Sequence, residues 1–476
     1  MPDPKIICVD LDGTLVRSDT LWEQVALLLK TKLLLAFLLP FWLLAGKAQL
    51  KARIARSISL DPAALPYHAP LIAYLRQRRA AGDHLVLATG ANQAVARAVA
   101  DHLDLFDEVL ASDQTTNLTG GRKLAALQAR FPGQALAYAG NGPRDLPVWR
   151  GCQQAILVDA PRRLAAQVQA AGAPGLAIDS PQRRGPLKVW LKALRVQQWV
   201  KNLLLFAPMA GAHLWWNLKV WESTGLAFAA FCLLASSVYL LNDLLDLAND
   251  RQHPSKRNRP LAAGEFPLPL ALALIPLLAL AGLGLGAWVG GGLLLCMLVY
   301  LGLTLAYSWR LKREVMLDIL VLAGLYTLRV IAGSEAGQVH LTSWFTIFTT
   351  FLFLSLAFCK RHAELHHLAK VEQTQSLGRG YRKDDQPFLL CGGLASGYLA
   401  ALVFTLYLNS PLVNQLYRNT TWLWLICPAM LYWISRIWLL AHRGEIVDDP
   451  VLFVIKDKAS YVTGLVILAI VVMTAL

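Results

Sequence analysis

Along the first 185 residues, apolar and polar positions interchange on a short scale. From about residue 200 they separate into long apolar runs divided by charged loops. The segment KIICVDLDGTL is a short apolar run that ends on acids and a glycine, which predicts a β-strand followed by a turn. Strand-like and helical runs then alternate, predicting an α/β fold built on a parallel sheet. Residues 16–70 form a helical insert in that pattern. Within it, LLLAFLLPFWLLAG (33–46) is uncharged, has Pro40 at its centre, and is too short to cross a bilayer. Such a segment lies on a bilayer, packs on a membrane-spanning part, or is buried inside the insert. Left bare on a soluble domain it would be an unusually large apolar patch.

The second regime predicts transmembrane helices, each needing about 20 mostly apolar residues. About nine candidates stand at roughly 203–216, 222–242, 267–287, 289–308, 316–333, 341–359, 387–409, 420–440 and 459–476. The expected organisation is an α/β domain over 1–180, a linker over 181–202 and an all-α transmembrane bundle over 203–476. The linker holds GPLKVWLKALRVQQWVKN, in which Val189, Leu191, Leu194 and Val196 mix with Lys188, Lys192, Arg195 and Lys201. That reads as an interfacial amphipathic helix. Lys201 and Asn202, at the mouth of the first span, serve either the anchor or a ligand.

Composition fits a membrane protein: 56% of residues are apolar and the mean hydropathy is +0.44. The net charge of +14 is distributed by topology. One set of loops holds Arg251, Lys256, Arg257 and Arg259; Arg310, Lys312 and Arg313; Lys360, Arg361, Lys370, Arg379, Arg382 and Lys383; and Arg436, Arg443, Lys456 and Lys458. The opposite loops offer Lys219 and Arg418. The positive-inside rule then puts the basic loops, the N-terminal domain and any site they carry on the cytoplasmic side of a bacterial-type inner membrane. No nucleic-acid partner is implied, because the cations follow topology. The seven cysteines are scattered without a C-x-x-C pair, which argues against a disulfide framework or a structural zinc site. The charged start, leading straight into a strand, is not a signal peptide pattern.

The stretch NDLLDLANDRQHPSKRNRP (242–260) departs from a plain loop. Asp243, Asp246 and Asp250 at i, i+3 and i+7 would share one face of a helix, with Asn242 at the same end. Crowded carboxylates repel one another and are costly near lipid. A divalent cation removes both problems, and hard oxygen donors without His or Cys select Mg²⁺, which bridges to substrate phosphates. Arg251, Lys256, Arg257 and Arg259 follow as phosphate partners. A solvated loop would explain these cations but not three acids on one face. In the fifth expected span, Asp318 lies near the cytosolic end and Arg329 three turns deeper on the same face, with Tyr326 beside it. Asp318 and Lys312 are candidate substrate ligands, as are Lys360 and Arg361 in the next basic loop. Arg329 either lines a cavity or snorkels to the far interface.

The pattern N-D-x-x-D-x-x-x-D resembles the signature of the UbiA superfamily of intramembrane prenyltransferases. That resemblance covers about 187–476 and implies a nine-helix bundle with an Mg²⁺–diphosphate site at its cytosolic end. LRVQQWVKNLLLFAP, YSWRLKREVMLDILVLAGLYTLRVIAG and DPVLFVIKDKAS are similar to its decaprenyl-phosphate phosphoribosyltransferase branch. The resemblance to that branch implies phosphoribosyl diphosphate as donor and a polyprenyl phosphate as acceptor. The second acidic motif of aromatic-prenylating members is missing: the loop 359–385 is mostly basic and offers Glu364, Asp384 and Asp385 without the D-x-x-x-D spacing.

The N-terminal motif Asp10-Leu11-Asp12-Gly13-Thr14 resembles that of haloacid-dehalogenase (HAD) phosphatases. The resemblance implies a HAD-like Rossmannoid domain with a helical cap, Asp10 as nucleophile and Asp12 as general acid/base. HLVLATG supplies Thr89 for the phosphate, and NLTGGRKLAAL supplies Lys123. ALAYAGNGPRDLPVW matches the acidic loop of a second Mg²⁺ site, with Asn141 where the family usually has Asp and Asp145 nearby.

Together these expectations describe a membrane transferase that joins phosphoribose to a polyprenyl phosphate, fused to a phosphatase that removes the 5-phosphate. Two alternatives stay open: an aromatic prenyltransferase with an isoprenyl diphosphate donor, and a membrane protein with a regulatory HAD domain.

Overall fold

The computed structural model describes residues 4–113, 115–170, 175–180, 184–370, 380–411, 413, 417, 420–446 and 449–475; the side chains of 367–370 and 475 are outside that description. The chain forms two compact units. One comprises Met1–Leu194 with Tyr239–Ile275, and the other Arg195–Val238 with Pro276–Leu476.

The first unit is built on a six-stranded parallel sheet. Its strands are β1 (Ile6–Val9), β2 (His84–Asn92), β3 (Glu108–Ser112), β4 (Leu136–Gly140), β5 (Gln154–Val158) and β6 (Gly175–Ile178). Their order is β3-β2-β1-β4-β5-β6. The central strands are apolar on both faces because helices cover both: β1 (IICV) and β4 (LAYAG) are buried at every position. Residues Ile7, Val9, Leu85, Leu87 and Ile156 pack one layer, and Cys8, Val86, Tyr138, Trp149 and Leu157 the other. The order reverses between β1 and β4, so the carboxyl ends of these two strands open a crevice at the topological switch point.

The insert after β1 is helical over Thr20–Thr31, Leu33–Ala36, Leu39–Leu44 and Lys47–Ser57. Asp19 caps the first helix, accepting from the backbone N–H of Leu21 at 3.0 Å. The helices Leu33–Ala36 and Leu39–Leu44 contain no buried residue, so the apolar segment is not buried within the insert.

The second unit is helical. By length and hydropathy, seven helices among the described residues could cross a membrane: Leu218–Leu245, Leu268–Val289, Gly291–Trp309, Leu317–Gly337, Ser343–His366, Lys383–Leu408 and Thr420–Arg443. The first two continue into the other unit. The nine expected spans are therefore reduced to seven by this measure. At 203–216 the chain instead forms a 3-10 segment, Val196–Phe206, and a short helix, Ala207–Gly211, that begins around Pro208. The last apolar helix, Lys458–Ala475, falls just short of spanning length. The expected interfacial helix is confined to Pro186–Ala193, because Arg195 adopts a left-handed backbone (φ 50°) that ends it. Arg379, Arg418 and the Lys370 side chain, part of the charge pattern, lie outside the described residues. All seven cysteines are free.

Candidate active sites

In the first unit, Asp10 follows β1 and Asn141 follows β4, facing the crevice of the switch point. The Asp10 backbone N–H donates to Ala139 O at 3.0 Å, which fixes the turn against β4. Gly13 has φ 76°, and a Cβ there would strike the Asn141 side-chain amide, so this turn requires glycine. Lys123 Nζ stands 2.9 Å from Asp10 Oδ1 and donates to Tyr138 Oη at 2.6 Å. Tyr138 Oη donates on to Asp145 Oδ1 at 2.8 Å. The other Asp145 oxygen accepts from the N–H groups of Asn141 and Gly142, both at 3.1 Å. Thus Lys123, Tyr138 and Asp145 form a buried relay that holds the cation over Asp10 and the loop after β4 in place.

Asp12 Oδ1 accepts from Thr20 N–H at 2.8 Å, and Thr89 Oγ1 accepts from Ala91 N–H at 3.0 Å. The structure thus assembles the expected motif residues around one crevice. Burial, with the neighbouring carboxylates, pushes Asp10 and Asp12 up to about 6. For Asp10, Lys123 opposes this and Asp145 adds to it; for Asp12 the added repulsion comes from Asp19. The Thr14 hydroxyl is buried without a hydrogen-bond partner. Oxygen-only donors that are costly to ionise, beside an unsatisfied hydroxyl, fit a hard divalent cation. Among the described residues, however, no three His, Cys, Asp or Glu side chains are gathered as a metal cluster in either unit.

The aspartate-rich segment also belongs to the first unit. The long helix ends at Leu245, Asp246 has φ −102° and ψ 13°, and a new helix runs Leu247–Gln252. The three aspartates therefore do not share one continuous helical face. Asp243 and Asp250 are buried and both receive Arg259, whose Nη1 lies 3.0 and 2.5 Å from their carboxylates. Burial first, and Asp243 after the opposing Arg259, keep the Asp250 carboxyl above its ordinary value. Asp246 is more exposed and stands 3.9 Å from Lys30. Asn242 is partly buried, and Lys256 and Arg257 are exposed. Arg251, expected beside phosphate, instead turns into the unit: it holds Glu23 through Nη1 and Nη2 at 3.1 and 2.5 Å and donates to Ala64 O and Ala262 O.

The second unit contains two buried polar knots. In one, Asp449 Oδ2 receives Lys201 at 2.7 Å and Lys360 at 2.8 Å, and Tyr326 Oη reaches its other oxygen at 3.5 Å. Burial acts against ionisation of Asp449, but Lys360 and Lys201 hold its carboxyl well below the ordinary range. Arg329 extends this knot, donating to Asn202 Oδ1 at 3.0 Å and Tyr300 Oη at 3.1 Å, with its guanidinium near the Tyr300 and Tyr326 rings. It is internal and does not snorkel. In the other knot, Asp318 is fully buried and accepts from Arg361 and Tyr381, both at 2.5 Å. Arg361 also reaches Glu364 and Tyr307. Asp318 and Arg329, expected on one face, belong to different knots. Lys312 is partly buried on the turn Leu311–Arg313. An apolar cavity of about 600 Å³ in this unit is lined by Phe345, Phe348, Tyr407, Met430 and Trp433.

Sequence reasoning missed Tyr138, Tyr307, Tyr381 and Asp449. Asp449 opens DPVLFVIKDKAS and caps the helix Pro450–Val454, and an Asp-Pro cap was the available signal. The tyrosines gave none, since each reads as an ordinary core or loop aromatic.

A parallel α/β domain with a crevice at its switch point and a set of apolar helices of spanning length define a two-module, multi-pass membrane protein. Residues 204–456 match the UbiA prenyltransferase family, and residues 7–150 match haloacid dehalogenase-like hydrolases. The chain belongs to the UbiA prenyltransferase family and carries a HAD-like domain at its N-terminus. An uncharacterized protein of Sinorhizobium fredii is 36% identical over 98% of this chain and 90% of its own length. The decaprenyl-phosphate phosphoribosyltransferase of Mycobacterium tuberculosis is 42% identical over 181 residues, 37% of this chain and 60% of that protein. Among solved structures, a UbiA homolog from Archaeoglobus fulgidus bound to DMAPP and Mg²⁺ is 16% identical, covering 59% of this chain and 98% of that one, with a TM-score of 0.46.

Proposed function

We propose that the membrane module transfers 5-phosphoribosyl from phosphoribosyl diphosphate to a polyprenyl phosphate, and that the HAD module then removes the 5-phosphate from the lipid product. The observation that carries this reading is the similarity of the helical part to decaprenyl-phosphate phosphoribosyltransferases on a chain that also holds a HAD phosphatase motif set. In this reading the modules extend over 1–180 and 203–476, joined by 181–202, with both sites on the cytoplasmic face of an inner membrane.

Asp243, Asp246 and Asp250 would hold Mg²⁺ in the membrane module, and Asp10, Asp12 and Asn141 in the other, where Asp145, expected as a further ligand, instead commits both oxygens to Tyr138 and the loop N–H groups. The bound ion supplies positive charge against phosphate oxygens. In transfer, the bond from ribose C1 to the diphosphate oxygen breaks as an acceptor phosphate oxygen bonds to C1. That acceptor is already ionised, so no strong general base is required. Arg259, Lys256 and Arg257 stabilise charge on the departing diphosphate. Asn242 orients the donor beside Asp243; within the second unit, Lys201, Lys360, Lys312, Arg361, Asp318, Asn202, Tyr326 and Arg329 are the candidate ligands of the acceptor headgroup, and the apolar cavity takes isoprenoid chain. In hydrolysis, the Asp10 carboxylate attacks phosphorus and Asp12 protonates the leaving sugar oxygen. Asp12 then takes a proton from water that attacks the aspartyl phosphate. Lys123 and Thr89 hold the phosphoryl oxygens.

Purified full-length protein, given labelled phosphoribosyl diphosphate and polyprenyl phosphate, should place label in the lipid extract. Asp10→Asn should leave a product heavier by one phosphate. Unlabelled lipid overturns the first step, and an unchanged product mass overturns the second. A prenylated aromatic product from an isoprenyl diphosphate mixture would replace the reading.

A further inference from the structure

The insert after β1 carries a surface that the phosphatase reading does not use. Over the short helices Leu33–Ala36 and Leu39–Leu44 the large apolar side chains point outward: Leu34 is 83% exposed, Phe37 71%, Phe41 66% and Leu44 85%. A soluble domain does not leave so compact an apolar patch bare. The pair is too short to span. Its charge pattern is one-sided: between Glu23 and Asp61 there is no acidic residue, while exposed Lys32 and Lys47 flank the patch in sequence and exposed Arg53 and Arg56 follow on the helix Lys47–Ser57. An apolar tip flanked in sequence by cations and by no acid matches one leaflet of an anionic bilayer, acyl chains below and phosphate headgroups around. A bilayer is at hand, because the same chain carries seven helices of spanning length. A protein partner for this patch would need an acidic rim, and a self-contact would bring the cations together.

We propose that the apolar tip of the insert, residues 33–44, enters one leaflet of the membrane, with its basic flanks on anionic headgroups. Asp12 is tied to this insert through Thr20, and Lys51 of the same insert donates to Gly90 O at 2.5 Å on the phosphate-binding strand end. The insert that enters the lipid is thus also part of the crevice wall. Its ligand class is accordingly a phosphate monoester whose remainder stays in the bilayer. This last step rests on the phosphatase reading; the insertion does not.

The test uses the full chain in vesicles of anionic phospholipid. p-Benzoylphenylalanine is placed at Phe37 or Phe41 and activated by light, with Gln134, on an exposed turn of the first unit, as control. The expected result is phospholipid adducts at 37 and 41 and none at 134. Adducts to peptides of this chain or of another protein, or no lipid adduct, overturn the insertion. In a second arm, Leu34→Glu with Leu44→Glu should slow hydrolysis of a vesicle-borne phosphate monoester about tenfold while p-nitrophenyl phosphate turnover is unchanged. An equal effect on both substrates, or on neither, overturns the assigned ligand class. If wild type hydrolyses neither substrate, the phosphatase reading and the ligand class resting on it fail, and the adducts still decide the insertion.

Discussion

Replacing Glu23 by alanine would remove half of an ion pair that ties the helix Thr20–Thr31 to the segment just after Asp250. The Glu23 and Arg251 side chains are 4% and 10% exposed. Breaking a buried pair from one side costs about 3–5 kcal/mol, because a charge is left without its partner. Arg251 keeps two backbone carbonyls, Ala64 O and Ala262 O, so the lower end applies, about 3 kcal/mol. At about 1.4 kcal/mol per tenfold, local opening should rise roughly a hundredfold. Unfolding of the whole chain would not report this, since two-unit proteins depart from two-state behaviour. Amide exchange read by mass spectrometry would. Exchange should rise in 20–31 and in 247–252 together, and Glu23→Leu with Arg251→Met should recover most of the protection. Exchange that rises in 20–31 alone, or single changes that simply add in the double variant, would refute the clamp.

Three further outcomes are expected. Arg259→Gln removes the guanidinium shared by Asp243 and Asp250, so the Mg²⁺ concentration for half-maximal transfer should fall severalfold while KM for the diphosphate donor rises; an unchanged metal requirement counts against the site. Asp10→Asn should reduce phosphate release about a thousandfold or more with transfer intact, measured on one preparation by product mass. Asp449→Asn should speed amide exchange over 450–454 at pH 7 roughly a hundredfold, since Lys201 and Lys360 lose their shared partner at a cost of about 3 kcal/mol. Its carboxyl is depressed in the folded state, so that contribution is present above the unfolded value near about 4 and is lost as pH falls further. The difference in exchange between the two proteins should therefore shrink as pH falls below the unfolded value and vanish only once it passes through the depressed folded one.

What could be read from the chain was local chemistry. Asp10, Asp12 and Gly13 announce themselves because a strand, two acids and a left-handed glycine are consecutive, and the same holds for Thr89 and Lys123 at strand and helix ends. Tyr138 was not legible: on a fully buried strand it looks like core, and its hydroxyl matters only because Lys123 and Asp145 converge on it. The break at Asp246 carries no Gly or Pro, so NDLLDLAND reads as one helix. Hydropathy over 203–216 likewise measured oiliness but not backbone form, and Val196–Phe206 is a 3-10 segment. Asp449 lies 248 residues from its partner Lys201, a pairing that no local pattern contains.

The largest difference between sequence and structure concerns cations, and it bears on selectivity. Arg259, Arg251, Arg361, Lys201 and Lys360 look like a reservoir of phosphate ligands, yet each is already held by a carboxylate. In a dry site an unpaired charge is costly, so a protein that keeps many cations near lipid must also supply their counter-ions. Binding is then an exchange: an incoming phosphate oxygen gains only the excess of its attraction over that of the aspartate it displaces. A weakly charged ligand gains almost nothing. Under the proposed function, a diphosphate that brought a divalent ion would supply an anion to Arg259 and a cation to Asp243 and Asp250 together. The resting ion pairs would then select for metal-bearing diphosphates over phosphate alone, and Arg259→Gln should narrow that preference by admitting the metal without its diphosphate.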